Sequence, residues 1–205
     1  MGDYMRFGVQ WYYWLILLAA IILLFFVWRK AMAASKARRE RLKKEAAIWK
    51  RDYELREKFS ILTESKIKET EDLELLHGIA MNIQVMLEKE IDMNTAFSAM
   101  PIEKQYVYCL EYYDEDAKNS LSAFFKNNGA PLVPIIPQAL TAIGLTELLP
   151  WIELLIPMYD PDSLTSIDYD AIAKADEEFK EAFNSDKLCR SAALYIRENI
   201  KIFLS

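Results

Sequence analysis

From Trp11 to Trp28 the chain runs eighteen residues without a charge or a strongly polar group, then meets a basic block that opens with Arg29 and Lys30. At about 1.5 Å of rise per residue such a run makes a helix of about 27 Å, close to one hydrocarbon core, which predicts a single transmembrane helix over 11–28. Trp11 and Trp14 at one end and Trp28 at the other suit the two interfaces. With Arg29 and Lys30 they are the expected membrane-anchoring residues. Residues 29 to 44 carry eight basic side chains against Glu40 alone. That excess predicts a single-pass protein of the cell membrane, N-terminus outside and C-terminal domain cytoplasmic, with anionic lipid near residues 29–44. Ala31-Met32-Ala33 has the small-x-small form of a signal cleavage site. A secretory signal, however, has a basic leading region and an apolar stretch of about 7 to 15 residues, and its cleavage site does not normally follow Arg-Lys.

Charge is distributed unevenly. Of 25 basic and 31 acidic residues, nine and two respectively lie before residue 45, so the remaining 161 residues hold 16 against 29. Between residues 111 and 186 four lysines face fifteen acids. Nucleic acid is excluded as a direct ligand, because binding a polyanion depends on basic neutralisation. A basic or membrane-associated protein is the expected partner. Cys109 and Cys189 are expected as buried structural thiols, since two cysteines in a chain of this size build no disulfide framework.

Beyond the basic block the pattern is helical. Residues 31 to 66 contain no Gly or Pro and are rich in Ala, Lys, Arg and Glu, which favours continuing the first helix into a stalk. The stripes through Leu42, Ala46, Trp49 and Tyr53 and through Ile48, Leu55 and Leu62 are too short for a coiled coil. They predict packing of the distal half of the stalk onto the body. Leu73, Leu76, Ile79, Ala80, Ile83, Met86 and Leu87 mark the core face of a helix over 69–91. His77, the one histidine, is expected as a packed or surface residue rather than a ligand or base. Pro101 opens the next helix, Asn127-Asn128-Gly129 supplies a stop, and Asp114, Glu115 and Asp116 have the charge of a helix start. After a proline-bearing segment Gly144 ends a helix, Thr146 caps another that gives way at Pro157, and two helices follow 160–166. The expected order is therefore a short segment 1–10, a transmembrane helix 11–28, a basic juxtamembrane segment and helical stalk 29–66, and an acidic all-α domain 67–205. The fold class is all-α: a single N-terminal transmembrane helix continuing into a stalk, then a multi-helix cytoplasmic domain.

The run Leu121-Ser-Ala-Phe124-Phe125-Lys-Asn127-Asn-Gly129, followed by Ala139-Leu-Thr-Ala142-Ile-Gly144, resembles the helical domain of the bacterial DNA-mimic protein family. Asp176-Glu-Glu-Phe179 and Tyr195-Ile-Arg197-Glu-Asn199 are similar to that domain's closing helices. The resemblance covers about residues 70 to 203. Two features depart from it: Ala117-Lys-Asn-Ser120 stands where the family has an Asn-Asn-Gly-Gly turn, and Ala123 replaces a glutamine. The resemblance implies an all-helical interaction domain, the family being named for a member whose acidic surface imitates nucleic-acid phosphates toward a DNA-binding protein.

Chemistry is sparse. Asp160, Asp162, Asp168 and Asp170 suggest calcium, but an EF-hand loop begun at Asp160 would put Leu164 at its fifth position, Thr165 at the turn glycine and Ala171 at the terminal glutamate. A solvated loop with aspartates capping the next helix is the better account. No phosphate loop, nucleophile motif or Cys-x-x-Cys pair is present. No catalytic residue, metal or cofactor is expected. The expected function is a non-catalytic docking or regulatory module. Its partner-binding residues are Glu111, Asp114, Glu115, Asp116, Asp160, Asp162, Asp168, Asp170, Asp176 and Glu177. The alternatives are a structural subunit of a membrane assembly, for which Ala19 and Ala20 would permit close helix approach, and an immunity-type protein that neutralises a toxin by acidic mimicry.

Overall fold

The computed structural model describes residues 12–159 and 166–204. The helices are α1 (Tyr12–Lys58), α2 (Glu64–Glu69), α3 (Asp72–Leu87), α4 (Met93–Ala99), α5 (Ile102–Ala117), α6 (Leu121–Asn127), α7 (Leu132–Ala142), α8 (Leu149–Tyr159), α9 (Tyr169–Ala182), α10 (Ser185–Glu198) and α11 (Ile200–Phe203), with a 3-10 turn at Thr146–Leu148. No β-strand occurs among the described residues. The chain divides into two units, 1–51 and 52–205.

In the first unit α1 is continuous, as the lack of Gly and Pro favours, and Leu23 and Leu24 are among its exposed apolar side chains. No helix among the described residues is long and apolar enough to cross a membrane. This corrects the expected transmembrane helix over 11–28 and the single-pass placement in the cell membrane derived from it. Only Leu15 to Val27 are uniformly aliphatic or phenylalanine. Those residues give about 20 Å of helix, against a hydrocarbon core of about 30 Å. Tyr12, Tyr13, Trp14 and Trp28 carry polar ring atoms that belong at an interface rather than in hydrocarbon. Trp11 lies outside the described residues; Trp14, Trp28, Arg29 and Lys30 are on α1.

In the second unit α5 is the central element, packed by α3, α6, α7 and α10. The end of α1 and the residue that follows it enter this core: Leu55 and Phe59 are buried, whereas Tyr53 is exposed. A methyl group at Gly78 would overlap the Phe59 ring, so glycine there lets the chain after α1 lie directly on α3. On α3 Leu76, Ile79, Ala80, Ile83 and Leu87 are buried as the stripe predicts, while Leu73 is exposed. Around Tyr113 gather Phe124, Phe179 and Phe183, ring centroids 5.3, 6.2 and 6.0 Å away and all edge-on. Edge-to-face pairs of this kind contribute about 0.5–1.5 kcal/mol each beyond their burial.

Arg197 ties the last long helix to the first turn of α3. Its guanidinium donates to Asp72 Oδ1 at 2.7 Å and to the Thr70 carbonyl at 2.7 Å. Helix starts are capped by side chains: Thr63 for α2, Asp92 for α4, Ser120 for α6, Asp168 for α9 and Asn184 for α10. Gly144, at φ +75°, closes α7. Several local expectations are corrected. The stalk helix ends at Lys58 rather than 66. Asp114, Glu115 and Asp116 lie at the end of α5, not at a helix start. Thr146 opens the 3-10 turn without a side-chain cap. Pro157 sits inside α8, where the carbonyl it leaves unbonded belongs to exposed Glu153 and can reach water.

Candidate interaction surface

The acidic stretch at the end of α5 is turned inward. Glu111 is 5% exposed and faces His77 Nδ1 on α3, also buried; its second oxygen, Oε2, has no hydrogen-bond partner among the described residues. Asp114 has no exposed surface and accepts from Lys118 Nζ at 2.5 Å and Ser185 Oγ at 2.6 Å. Burial lowers the Lys118 pKa, but the hydrogen bond and charge of Asp114 outweigh it and hold the ammonium above the ordinary lysine range. Asp116 accepts from the amide nitrogens of Asn127 and Asn128, both at 2.7 Å. Of this group only Glu115 is exposed.

Two buried thiols lie near. Cys109 donates to the Leu132 carbonyl at 3.3 Å, and burial pushes its pKa far up. Burial, reinforced by the Asp114 charge, pushes Cys189 up to about 12. Neither is poised as a nucleophile, since the thiolate is the reactive form. Among the described residues no three His, Cys, Asp or Glu side chains come together as a metal site.

The second acidic stretch has a different arrangement. Asp160 and Asp162 lie outside the described residues. Asp168 caps α9 through the backbone N–H groups of Asp170 and Ala171, at 3.1 and 3.0 Å. Asp176 turns inward and accepts from Ser122 N at 2.8 Å and Ser122 Oγ at 2.6 Å, holding the start of α6. Asp170, Glu177 and Glu181 are exposed and without an ion pair among the described residues. Glu178, also exposed, lies 3.7 Å from Lys174 and accepts from Trp151 Nε1 at 3.4 Å. Glu153 on α8 is exposed as well. The structure thus brings Asp168, Asp170 and Glu177 onto one helix and removes Glu111, Asp114, Asp116 and Asp176 into hydrogen bonds within the fold.

A cleft of about 270 Å³ opens where α3, α4, α5 and the α6–α7 turn meet, lined by Leu87, Phe97, Tyr108, Tyr112, Asn127 and Asn128 among others. The Tyr108 and Tyr112 rings are 4.9 Å apart between centroids, and Phe97 is 5.6 Å from Tyr108. Their hydroxyls are 3.1 Å from each other, and both lie against Gln84 Oε1, Tyr112 at 3.3 Å. Gln84 donates its amide to Glu88 at 3.0 Å, and Glu88 is clamped by both terminal nitrogens of Arg56 at 2.8 and 2.9 Å. The sequence reading missed this cleft. Its one sequence signal is the spacing of Tyr108 and Tyr112, four apart on one helix face.

Fold and surface together define an all-helical acidic domain without an evident catalytic constellation among its described residues. Residues 98–199 match the family model described as DMP19-like protein, so that stretch is similar to a helical domain family not known as a family of enzymes. The match takes in every motif that carried the resemblance and leaves out α1, α2, α3, most of α4 and α11. No curated protein and no solved structure matches the chain. Most motif positions are structural: Phe124 and Phe179 are buried together, Asp176 holds Ser122, Asn128 holds Asp116 and Arg197 holds Asp72.

Proposed function

We propose that the protein is a non-catalytic docking module whose acidic helical unit binds a basic protein partner. The observation that carries this reading is the row of exposed carboxylates on α9, Asp170, Glu177, Glu178 and Glu181, beside only Lys174 and Lys180. A face of net negative charge attracts a basic surface from a distance and loses that attraction as salt screens it. The DMP19-like match of 98–199 favours a narrower version, in which the partner is a nucleic-acid-binding protein and the carboxylates take the place of phosphates. The test is affinity purification with the full-length chain and with its E177Q/E178Q/E181Q variant, at low and at high ionic strength. Basic proteins are expected on the wild-type chain at low salt, displaced by added duplex DNA and absent from the variant. Recovery of the same proteins by the variant, unchanged in high salt, would sink the reading.

A further inference from the structure

The lining of the Tyr108/Tyr112 cleft has an unusual hydrogen-bonding polarity. A carboxylate only accepts, so Asn127 and Asn128 must both turn their amide nitrogens to Asp116, which leaves their carbonyl oxygens as the unspent ends. Glu88 fixes Gln84 in the same way, amide nitrogen toward the carboxylate and oxygen toward the phenols. The hydroxyl hydrogens of Tyr108 and Tyr112 are therefore taken up among themselves and Gln84 Oε1, and each phenol oxygen retains lone pairs. Asn128 spends both amide hydrogens, on Asp116 and on the Phe124 carbonyl, Asn127 spends one on Asp116, and the phenols spend theirs within the cluster, so what these four groups chiefly offer is acceptor oxygen.

Carboxylates nearby add negative charge, Glu88 among them being paired with Arg56. Burial raises the Tyr112 pKa, the bond to Tyr108 opposes that, and the charges of Glu115, Glu111 and Glu88 raise it further. Aromatic faces of Phe97, Tyr108 and Tyr112 complete the lining. Acceptor oxygens, aromatic rings and nearby carboxylates in one cleft fit a planar cation with many donors and no acceptor, which describes the arginine guanidinium.

We propose that this cleft receives an arginine side chain of the basic protein partner, the guanidinium bonding to the Asn127, Asn128 and Tyr112 oxygens and lying against the tyrosine rings. This rests on the reading of a basic partner and places its anchor on α5 rather than α9.

The probes are N-acetyl-arginine methylamide and its neutral isostere N-acetyl-citrulline methylamide, titrated into the full-length chain and followed by the NMR shifts of the Tyr112 ring and the Asn127 and Asn128 side-chain amides. The arginine compound is expected to shift these signals saturably, with the citrulline compound about tenfold weaker. Tyr112→Leu should cost a similar factor. Asn127→Ala, at an exposed position that leaves the rings in place, should cost a smaller one. E177Q/E178Q/E181Q should leave the titration unchanged. Equal binding of the two compounds, or arginine binding that survives Tyr112→Leu and disappears in the α9 variant, overturns the cleft assignment. Cleft binding that persists while the α9 variant still captures every partner overturns the surface reading alone.

Discussion

The C-terminal end of α5 and the length of α9 are both acidic in sequence and opposite in use. At the end of α5 negative charge opposes the helix dipole, and Asp114 and Asp116 are held there by Lys118, Ser185, Asn127 and Asn128. On α9 Asp168 and Asp170 stand at the helix start, where the dipole favours them, and the carboxylates that follow, apart from Asp176, are exposed. An excess of acid is therefore two different things in one chain. Part of it is scaffold, linking α5 to α6 and α10, and part is displayed surface.

The sharpest way to break this contrast is Asp114→Ala. It leaves Ser185 without its acceptor and Lys118 without its counter-charge, and should cost about 3 kcal/mol in urea denaturation. A cost below about 0.5 kcal/mol, the range of ordinary surface positions, would make Asp114 no different from Glu177. Asp176→Ala comes next, because it strips the acceptor from both the backbone N–H and the hydroxyl of Ser122, which is 1% exposed. About 2 kcal/mol is expected. Its outcome also decides whether α9 has an inward edge, since its neighbour Glu177 should change stability by less than about 0.5 kcal/mol when substituted. Asp168→Ala removes only a cap and should cost about 1 kcal/mol, read as a lowered thermal midpoint.

The helices were largely legible and the two uses of acid were not. The stripe on α3 marks Leu76, Ile79, Ala80, Ile83 and Leu87 because burial on one face repeats with the helical period. It omits Leu75, also buried, because α5 and α10 together cover a wider arc than one stripe describes. Asp114-Glu115-Asp116 carries the charge of a helix start, yet the apolar series through Val107, Leu110 and Tyr113 runs on to Ala117 and places those acids at a helix end. Whether an acid faces inward depends on partners far along the chain. His77 is 34 residues from Glu111, Ser185 is 71 from Asp114, and Ser122 is 54 from Asp176. The cleft was hidden for the same reason, since three separate helices and the α6–α7 turn contribute its walls. The aromatic-flanked run near the N-terminus shows the opposite effect: counting every uncharged residue overstates its apolar length, because rings with polar atoms and aliphatic side chains differ in where they partition.

The smallest expected effect is at alkaline pH, and its sign follows from proton linkage. Asp114 holds the Lys118 pKa above its ordinary value in spite of burial. The stabilisation this brings is complete below the unfolded lysine pKa and is lost as pH rises through the folded one. Cys189, pushed up to about 12 by burial and then by Asp114, works in the same direction. The unfolded chain gives up that thiol proton first, so stability falls above the ordinary thiol value. Asp114→Ala removes the Lys118 contribution and the Asp114 share of the Cys189 shift, while the share due to burial of the thiol stays. The stability gap between wild type and variant should therefore narrow between about pH 8 and pH 12. The Lys118 side chain is 43% exposed, and solvent screening limits its share to about 0.5 kcal/mol. Denaturant midpoints of the two chains across that range measure the narrowing. A constant gap would mean that Asp114 stabilises the fold through Ser185 alone, and the inward acid of α5 would then be a hydrogen-bond acceptor rather than half of an ion pair.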